Sequence, residues 1–205
     1  MNKICSYSVQ KSSHTEYISA NSLLEIDEFL NSKYSRVFYV IDKALEREFS
    51  KLGSNKLFIS GGEASKTMDS FQSLLKMLSD ERLDRGSVLV AIGGGSISDL
   101  VGFISSIYLR GISYTVIPST LLNIVDASIG GKNGINFGKR KNQIGTIYQP
   151  DFIFLYQPLL QTIPKQELSN GFAEIIKYAV TLDKKLFSDL LELSLENILS
   201  DYKIL

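Results

Sequence analysis

The sequence contains a single cysteine, Cys5, and a single histidine, His14, and both scarcities limit the chemistry that these residues can perform. One thiol cannot form an internal disulfide, which fits a reducing compartment. One histidine cannot build a metal site that needs two or three imidazoles. We expect Cys5 to be a small core or surface residue, and His14, in the polar stretch KSSHTEY, to have a structural or solvent-facing role.

Long apolar runs and an excess of either charge are also missing. No apolar stretch approaches the ~20 residues of a membrane helix, and the first residues, MNKICSYSVQKSSHTEY, lack the apolar segment of a signal peptide. The 22 basic and 22 acidic residues balance, so neither nucleic acid nor an anionic membrane is expected as a partner. These features predict an ordinary cytoplasmic globular protein.

Short β-branched and aromatic runs alternate with longer amphipathic segments, which is typical of α/β proteins. Strands apolar on both faces are expected when helices cover both sides of a parallel sheet. Nearly continuous apolar runs predict such strands at residues 36–42, 56–60, 87–92, 114–118 and 152–156. Apolar residues at helical spacing predict helices at 22–30, 67–83 and 96–109, and a helical region from Pro164 onward.

The predicted fold class is therefore α/β. A Rossmann-like parallel sheet domain is expected over residues 1–160, followed over residues 161–205 by the start of an all-α domain. The Gly-, Asn- and Lys-rich segment Gly130–Gly145 breaks the alternation and is expected to form an exposed loop or irregular hairpin. From Leu186 to Leu205 the helical spacing continues without a glycine cap or polar tail, which suggests a helical layer that continues beyond this sequence.

Two glycine-rich turns follow predicted strands, and each has two interpretations. Gly93-Gly94-Gly95 leads into a helix, where glycine backbone and helix N–H groups suit a pyrophosphate; a tight structural turn is the alternative. In the turn Gly61–Lys66 (GGEASK), Glu63 could accept hydrogen bonds from ribose hydroxyls and Lys66 could meet a phosphate. That turn could equally be a loop that feeds a helix capped by Ser65.

A third group of polar residues lies on or near loops between the predicted elements. Its members are Arg110, Asp126, Lys132, Lys141 and Asn142. Loops at the carboxyl ends of parallel strands are where α/β folds bind ligands, and three cations with an aspartate and an amide suit a small oxygenated anion. A solvated basic loop is the alternative, and we prefer that interpretation for Lys139 and Arg140.

Glu174 and Lys177 are three residues apart and share a helix face within the apolar segment GFAEIIKY. A partly buried carboxylate needs a partner, either a cation or a metal ion. A structural salt bridge between the two residues would explain the spacing equally well.

Together these segments resemble the 3-dehydroquinate synthase family of sugar-phosphate cyclases, from about Val37 to Phe187. GGGSISDLVGF, YLRG, IPSTLLNIVDASIGGKNGIN, KNQIGTIYQP and GFAEIIKY occur in the order and spacing of that family. Three positions depart from its usual pattern: Asn133 replaces a threonine, Arg140 replaces a glycine, and Ser119 replaces the first of two threonines.

The resemblance implies NAD as a cofactor and a divalent metal ion, zinc or cobalt. The positions that match NAD contacts are Asp42, Gly61, Gly62, Glu63, Ala64, Ser65, Lys66, Gly95, Ser96, Ile97, Ser98, Asp99, Ser119, Thr120, Lys132, Lys141, Leu159, Leu160, Gln161 and Thr162. The positions that match groups holding the phosphate, carboxylate and hydroxyls of the substrate, and hence the catalytic machinery, are Arg110, Asp126, Lys132, Asn142 and Lys177. Glu174 matches the carboxylate ligand of the metal.

The implied enzyme is a lyase of the shikimate pathway, a cytoplasmic homodimer that converts the sugar acid phosphate 3-deoxy-arabino-heptulosonate 7-phosphate to 3-dehydroquinate and phosphate. Family members continue for a long carboxyl-terminal stretch that supplies two histidine metal ligands, a lysine and an arginine. These 205 residues alone are therefore expected to show negligible turnover. The alternatives are another sugar-phosphate cyclase or a catalytically incomplete NAD-binding module. Iron-dependent dehydrogenases share the glycine turn but are not expected to carry VDASIGGK, KNQIG and GFAEIIKY together.

Overall fold

The computed structural model describes residues 1–7, 14–53 and 55–192. Strands and helices alternate through most of this part of the chain. Their bounds are β1 (Asn2–Tyr7), β2 (Thr15–Ala20), α1 (Leu23–Lys33), β3 (Val37–Asp42), α2 (Glu46–Phe49), β4 (Lys56–Ile59), α3 (Met68–Asp80), β5 (Val88–Gly93), α4 (Gly95–Ile107), β6 (Ser113–Pro118), β7 (Lys132–Phe137), β8 (Arg140–Ile147), β9 (Phe152–Tyr156), α5 (Gln157–Leu160), α6 (Lys165–Thr181) and α7 (Lys184–Glu192).

Seven of these strands form one sheet in the order β1-β2-β9-β6-β5-β3-β4. Only the pairing of β1 with β2 is antiparallel, and the other pairings are parallel. The segments that follow β3, β4, β5, β6 and β9 therefore meet along one edge of the sheet, where ligand sites of such folds occur. β7 and β8 form a separate antiparallel hairpin.

Helices cover both faces of the sheet, which is why its central strands are largely apolar. All six residues of β5 are buried. Val90 and Ile92 belong to a core cluster that includes Ile26 of α1 and Phe49 of α2. Leu89 of the same strand faces the opposite cluster, which includes residues of α3 and α4. The predicted α/β fold with a largely parallel sheet is confirmed.

The amino-terminal strands β1 and β2 were not among the predicted elements. β2 carries polar as well as apolar residues inside the core. The fully buried Thr15 is tolerated there because its Oγ1 donates a hydrogen bond to the Pro150 carbonyl at 2.7 Å. β2 pairs with β9, about 140 residues along the chain. Local sequence patterns carry little information about so distant a partner.

Several helix boundaries are corrected. Thr67, and not Ser65, caps α3 by accepting a hydrogen bond from the Ser70 N–H. α4 ends at Ile107, two residues before the predicted end, and a short 3₁₀ turn follows. The segment Gly130–Gly145 contains β7 and most of β8, which form an antiparallel hairpin, so the hairpin alternative is confirmed. The predicted helical continuation through Leu193 to Leu205 lies outside the described residues.

The helix α6 packs against the segment that follows β6. Leu168 and Ile175 of α6 form a small buried cluster with Leu121. Gly171 makes the closest approach, since a Cβ atom at that position would lie 2.5 Å from the Leu121 Cβ atom and 2.6 Å from the Leu122 backbone nitrogen. The glycine of the GFAEIIKY motif thus lets α6 dock onto the edge of the sheet.

Candidate functional site

The two glycine-rich turns contact each other at the carboxyl edge of the sheet. The Gly62 N–H donates a 3.0 Å hydrogen bond to Ser96 Oγ. Asp42, the last residue of β3, lies between the turns, since Cβ atoms added at Gly61 and Gly93 would lie 1.9 Å from its Oδ2 atom and 3.2 Å from its Cβ atom. Two turns that are separate in sequence therefore form one surface with a carboxylate between them.

The amino terminus of α4 is open at this surface. α1 and α3 are capped by the side chains of Ser22 and Thr67, but Gly94, which precedes α4, provides no side-chain cap. The first N–H groups of a helix carry partial positive charge and need partners. A backbone cradle with unused donors of this kind suits an anionic group such as a pyrophosphate.

The residues in this cradle that match NAD contacts of the family differ in whether their side chains are free to bind a ligand. Ile97 and Ser98 are buried, and Ser65 is buried with its hydroxyl bonded to the Gly62 carbonyl, so their side chains support the turns. Ser119 donates from its N–H to the Gly93 carbonyl at 2.9 Å. Thr120 Oγ1 accepts a hydrogen bond from the Asn123 N–H.

Asn123 was not predicted as a site residue. It is fully buried, and its Nδ2 group donates to the Gly93 carbonyl at 3.0 Å and to Ser98 Oγ at 2.8 Å. The amide thereby holds the end of β5 against the start of α4. Its position in the otherwise apolar stretch LLNIV gave no local signal of this role.

Lys66 is almost completely buried, with 3% of its side chain exposed. Its ammonium group lies 2.5 Å from Asp99 Oδ2 and also donates to Oδ1 of Asn142 in β8. Burial raises the pKa of Asp99, while the neighbouring ammonium opposes that shift. The structure thus joins residues that the sequence analysis assigned to the cofactor and to the substrate.

A second unpredicted asparagine, Asn136, links the hairpin to the GGEASK turn. Its N–H donates to the Lys66 carbonyl at 2.8 Å, and its Nδ2 group donates to Glu63 Oε1 at 2.8 Å. Its Oδ1 atom accepts the N–H of Asn142 at 2.9 Å. Glu63 and Asn142 are consequently held in fixed relation to each other.

A cavity of about 620 Å³ lies between the start of α4, the segment after β6 and the hairpin. Four predicted residues line it together: Asp99, Asp126, Lys132 and Asn142. Its wall also includes Asn133, Gln143 and Thr146. The cavity is large enough for a small sugar derivative and offers an ammonium, amides, a hydroxyl and two carboxylates.

Asp126 belongs to a short π-helical turn, Asn123–Ala127, which is typical of functional sites. Tyr178 of α6 donates from its hydroxyl to Asp126 Oδ1, and this contact raises the pKa of Tyr178. The Lys177 ammonium lies 4.6 Å from the centre of the Tyr178 ring. The turn and the helix α6 are thus joined by a polar contact that the sequence analysis did not anticipate.

Glu174 and Lys177 form an ion pair on the same face of α6. The Glu174 Oε2 atom is shielded from solvent. Among the described residues its ionic partner is the Lys177 ammonium group, but the geometry of the pair is not that of a well-aligned hydrogen bond. The neighbouring carboxylate raises the pKa of Lys177. The described residues contain no group of three or more His, Cys, Asp and Glu side chains that could hold a metal ion.

The remaining predicted residues do not line the cavity, and Arg110 is not brought to it, because its turn precedes β6 and so lies toward the amino-terminal edge of the sheet. Arg110 is exposed and, like Leu109, has left-handed backbone, with φ values of 66° and 50°. Such strain in non-glycine residues is common at functional sites. Lys141 is exposed on β8. The 159–162 segment follows β9, where Thr162 Oγ1 donates to the Leu159 carbonyl at 2.8 Å.

The sequence is similar to one family of enzymes. The family described as "3-dehydroquinate synthase N-terminal" matches residues 56–170. The 3-dehydroquinate synthase of Saccharolobus solfataricus is 45% identical over 172 residues, which cover 83% of this chain and 47% of that protein. The enzyme of the same name from Sulfolobus acidocaldarius is 43% identical over 190 residues, or 89% of this chain and 52% of that protein.

Among solved structures, the fold is similar to 2-epi-5-epi-valiolone synthase from Streptomyces hygroscopicus with NAD⁺ and Zn²⁺ bound. The TM-score is 0.79 at 29% identity, and the match covers 91% of this chain and 54% of that one. The chain thus spans about half the length of the relatives that it matches.

Proposed function

The chain belongs to the 3-dehydroquinate synthase family, and on this basis we propose that it forms the NAD-binding part of a 3-dehydroquinate synthase. The enzyme would convert 3-deoxy-arabino-heptulosonate 7-phosphate to 3-dehydroquinate and phosphate. The observation that carries the proposal is the meeting of Asp99, Asp126, Lys132 and Asn142 around one cavity beside the open amino terminus of α4. A dinucleotide and a small anionic sugar could be bound side by side there.

The residues at the sheet edge fit NAD. The uncapped start of α4 would hold the pyrophosphate through backbone N–H groups. Asp42 and Glu63 would accept hydrogen bonds from ribose hydroxyls. The remaining contacts proposed from the family match are the rest of 61–66 and 95–99, with Ser119, Thr120, Lys132, Lys141 and 159–162. Bound NAD would supply a reversible hydride acceptor, which is the redox chemistry that the family's reaction requires.

The substrate is proposed to occupy the 620 Å³ cavity. Lys132 and Asn142 would bind its oxygens from the hairpin side, while Asp126 would accept hydrogen bonds from its hydroxyls. Lys177 would approach from α6. Arg110 is proposed as a substrate contact from the family match alone, since its turn lies toward the amino-terminal edge of the sheet. Lys132 and Lys177, from the hairpin and from α6, would orient the phosphate for departure, which contributes to catalysis by positioning.

The described residues do not form a complete metal site. Glu174 supplies one carboxylate, already paired with Lys177, whereas a catalytic zinc site takes three protein ligands and an open position. We propose Glu174, from the family match, as one ligand to zinc or cobalt. Because the remaining ligands are missing among the described residues, we expect negligible turnover from these 205 residues alone. Phosphate release by the purified chain with substrate, NAD and zinc would test that expectation.

Further features of the whole enzyme are proposed from the family. Residues 1–160 would form the NAD-binding domain and residues 161–205 the beginning of the helical metal and substrate domain. The enzyme would be a cytoplasmic homodimer without a nucleic-acid or membrane partner. Among the described residues, no helix has the length and apolarity to cross a membrane.

A chimeric enzyme tests the proposed activity directly. The matched region of the Saccharolobus solfataricus enzyme would be replaced by this chain, and phosphate release from 3-deoxy-arabino-heptulosonate 7-phosphate would be measured. We expect turnover in the chimera and its loss in a Lys132→Ala chimera, because Lys132 lines the cavity. A folded chimera that binds NAD and zinc but releases no phosphate would contradict the assignment. Activity with a different sugar phosphate would instead support another cyclase.

A further inference from the structure

Lys66 is buried, so its ammonium group is not free to contact a phosphate directly and must act in another way. Only 3% of its side chain is exposed, and a buried ammonium is costly unless it is paired. Asp99 neutralises the charge at 2.5 Å, and Asn142 Oδ1 accepts a second hydrogen bond. A phosphate that bound Lys66 would have to displace one of these partners.

The hydrogen bond to Asn142 determines which way its amide points. Because Oδ1 is occupied by Lys66, the Nδ2 group is the part of the amide that remains for a ligand. Asn142 lines the cavity, so the amide would present two N–H donors to an oxygen-rich anion. Without the ammonium, either end of the amide could turn toward the cavity.

The backbone of Asn142 also depends on this arrangement. Its φ angle of 51° lies in the left-handed region, which persists when surrounding contacts stabilise it. The Asn142 N–H is bonded to Asn136, which in turn is bonded to the Lys66 carbonyl. Side chain and backbone of Lys66 therefore converge on the same residue of the hairpin.

We propose that Lys66 is a positioning residue, which orients the Asn142 amide as a hydrogen-bond donor and locks the β7–β8 hairpin to the start of α4. This inference rests on the proposed function only for the identity of the anion. Since Asp99 belongs to the cofactor side and Asn142 to the substrate side, Lys66 couples the two halves of the site.

Hydrogen exchange tests the lock without any ligand. We expect Lys66→Met to accelerate exchange of the Asn136 and Asn142 backbone N–H groups at least about tenfold, because their hydrogen-bonded loop would open locally. Lys66→Arg should restore part of the protection. The matched control is Lys139→Met, which removes the same charge from an exposed position of the hairpin. Unchanged exchange in Lys66→Met would overturn the proposal.

Binding of inorganic phosphate, measured by isothermal titration, separates positioning from direct contact. If Lys66 acts through Asn142, then Lys66→Met, Asn142→Ala and the double variant should each raise the Kd by a similar factor of about ten. Additive losses of about a hundredfold in the double variant would show that Lys66 binds the anion itself. Failure of the wild-type chain to bind phosphate would count against the proposed substrate site, and hydrogen exchange would then decide the positioning role.

Discussion

The carboxylate of Asp42 lies directly against the α-carbon of Gly61, so that a side chain at position 61 would occupy the space of the carboxylate. An added Cβ atom would stand 1.9 Å from Asp42 Oδ2. Asp42 ends β3, Gly61 follows β4, and these strands are neighbours in the sheet. The contact therefore joins Asp42, which we propose to bind a ribose of NAD, to the turn Gly61–Lys66, which we propose as part of the same cofactor site.

Gly61→Ala should impair cofactor binding more than folding. The Asp42 side chain can move away from a new methyl group, so the free energy of unfolding should fall by only about 1 kcal/mol. The displaced carboxylate should raise the Kd for NAD about tenfold, as measured by isothermal titration. Gly53→Ala is the control, because a Cβ atom there meets nothing within 4 Å. Equal affinities of wild type and Gly61→Ala would contradict the role of Asp42.

The same carboxylate should distinguish NAD from NADP. A 2′-phosphate at the ribose would meet the negative charge of Asp42, whereas a 2′-hydroxyl would donate a hydrogen bond to it. We expect NADP to bind at least about tenfold more weakly than NAD. Asp42→Asn should reduce that difference chiefly by improving NADP binding. A similar affinity for both dinucleotides in the wild-type chain would argue for a different orientation of the cofactor.

Much of this architecture was predictable from sequence, because the relevant signals are local. β3, β5 and β6 are nearly continuous apolar runs, and the turn Gly93–Gly95 follows the predicted strand into a helix as expected. The burial of Lys66 was not predictable, since its partners Asp99 and Asn142 lie 33 and 76 residues away. Lysine is usually exposed, and only the tertiary structure brings these groups together.

The departure at Asn133 also receives a physical explanation only from the structure. Its Nδ2 group donates to the carbonyls of Gly131 and Tyr148 at 2.8 and 2.7 Å. A Cβ atom at Gly102 of α4 would lie 2.1 Å from Asn133 Oδ1. Asparagine at position 133 and glycine at position 102 are therefore complementary, which a single sequence cannot reveal.

Gly171→Ala should destabilise the contact between α6 and the sheet. The added methyl group would collide with Leu121 and with the backbone of Leu122, and such overpacking costs about 1–3 kcal/mol. Urea unfolding would measure this loss. Asn170→Ala, an exposed change on the same helix, should alter stability by less than about 0.5 kcal/mol. Comparable stability of the two variants would show that α6 does not dock as described.

Tyr178→Phe should loosen the same helix from the π-helical turn. The substitution removes the hydroxyl that donates to Asp126, so a loss of about 0.5–1.5 kcal/mol is expected. In the chimeric enzyme the change should lower phosphate release, since Asp126 lines the cavity proposed to hold the substrate. Unaltered urea unfolding and unaltered turnover together would exclude a role for the contact.

Stability should decline at alkaline pH because burial raises the pKa of Tyr114 above its ordinary value of 10.0. The folded chain holds this proton more tightly than the unfolded chain, so the favourable contribution is present below about pH 10 and is lost as the pH rises further. The slope from one such residue reaches about 1.4 kcal/mol per pH unit. Tyr114→Phe should flatten the decline in urea unfolding measured between pH 9 and 11, and parallel curves would contradict this assignment.

An NMR titration of the chain with NAD tests the proposed cofactor site most directly. We predict saturable shifts of the backbone amides at Gly62, Gly94, Gly95 and Ser96. The amides of α1, which packs on one face of the sheet through buried residues such as Ile26, should remain unchanged. Absence of shifts at millimolar NAD, or shifts confined to residues away from the carboxyl edge of the sheet, would contradict the proposed cofactor site.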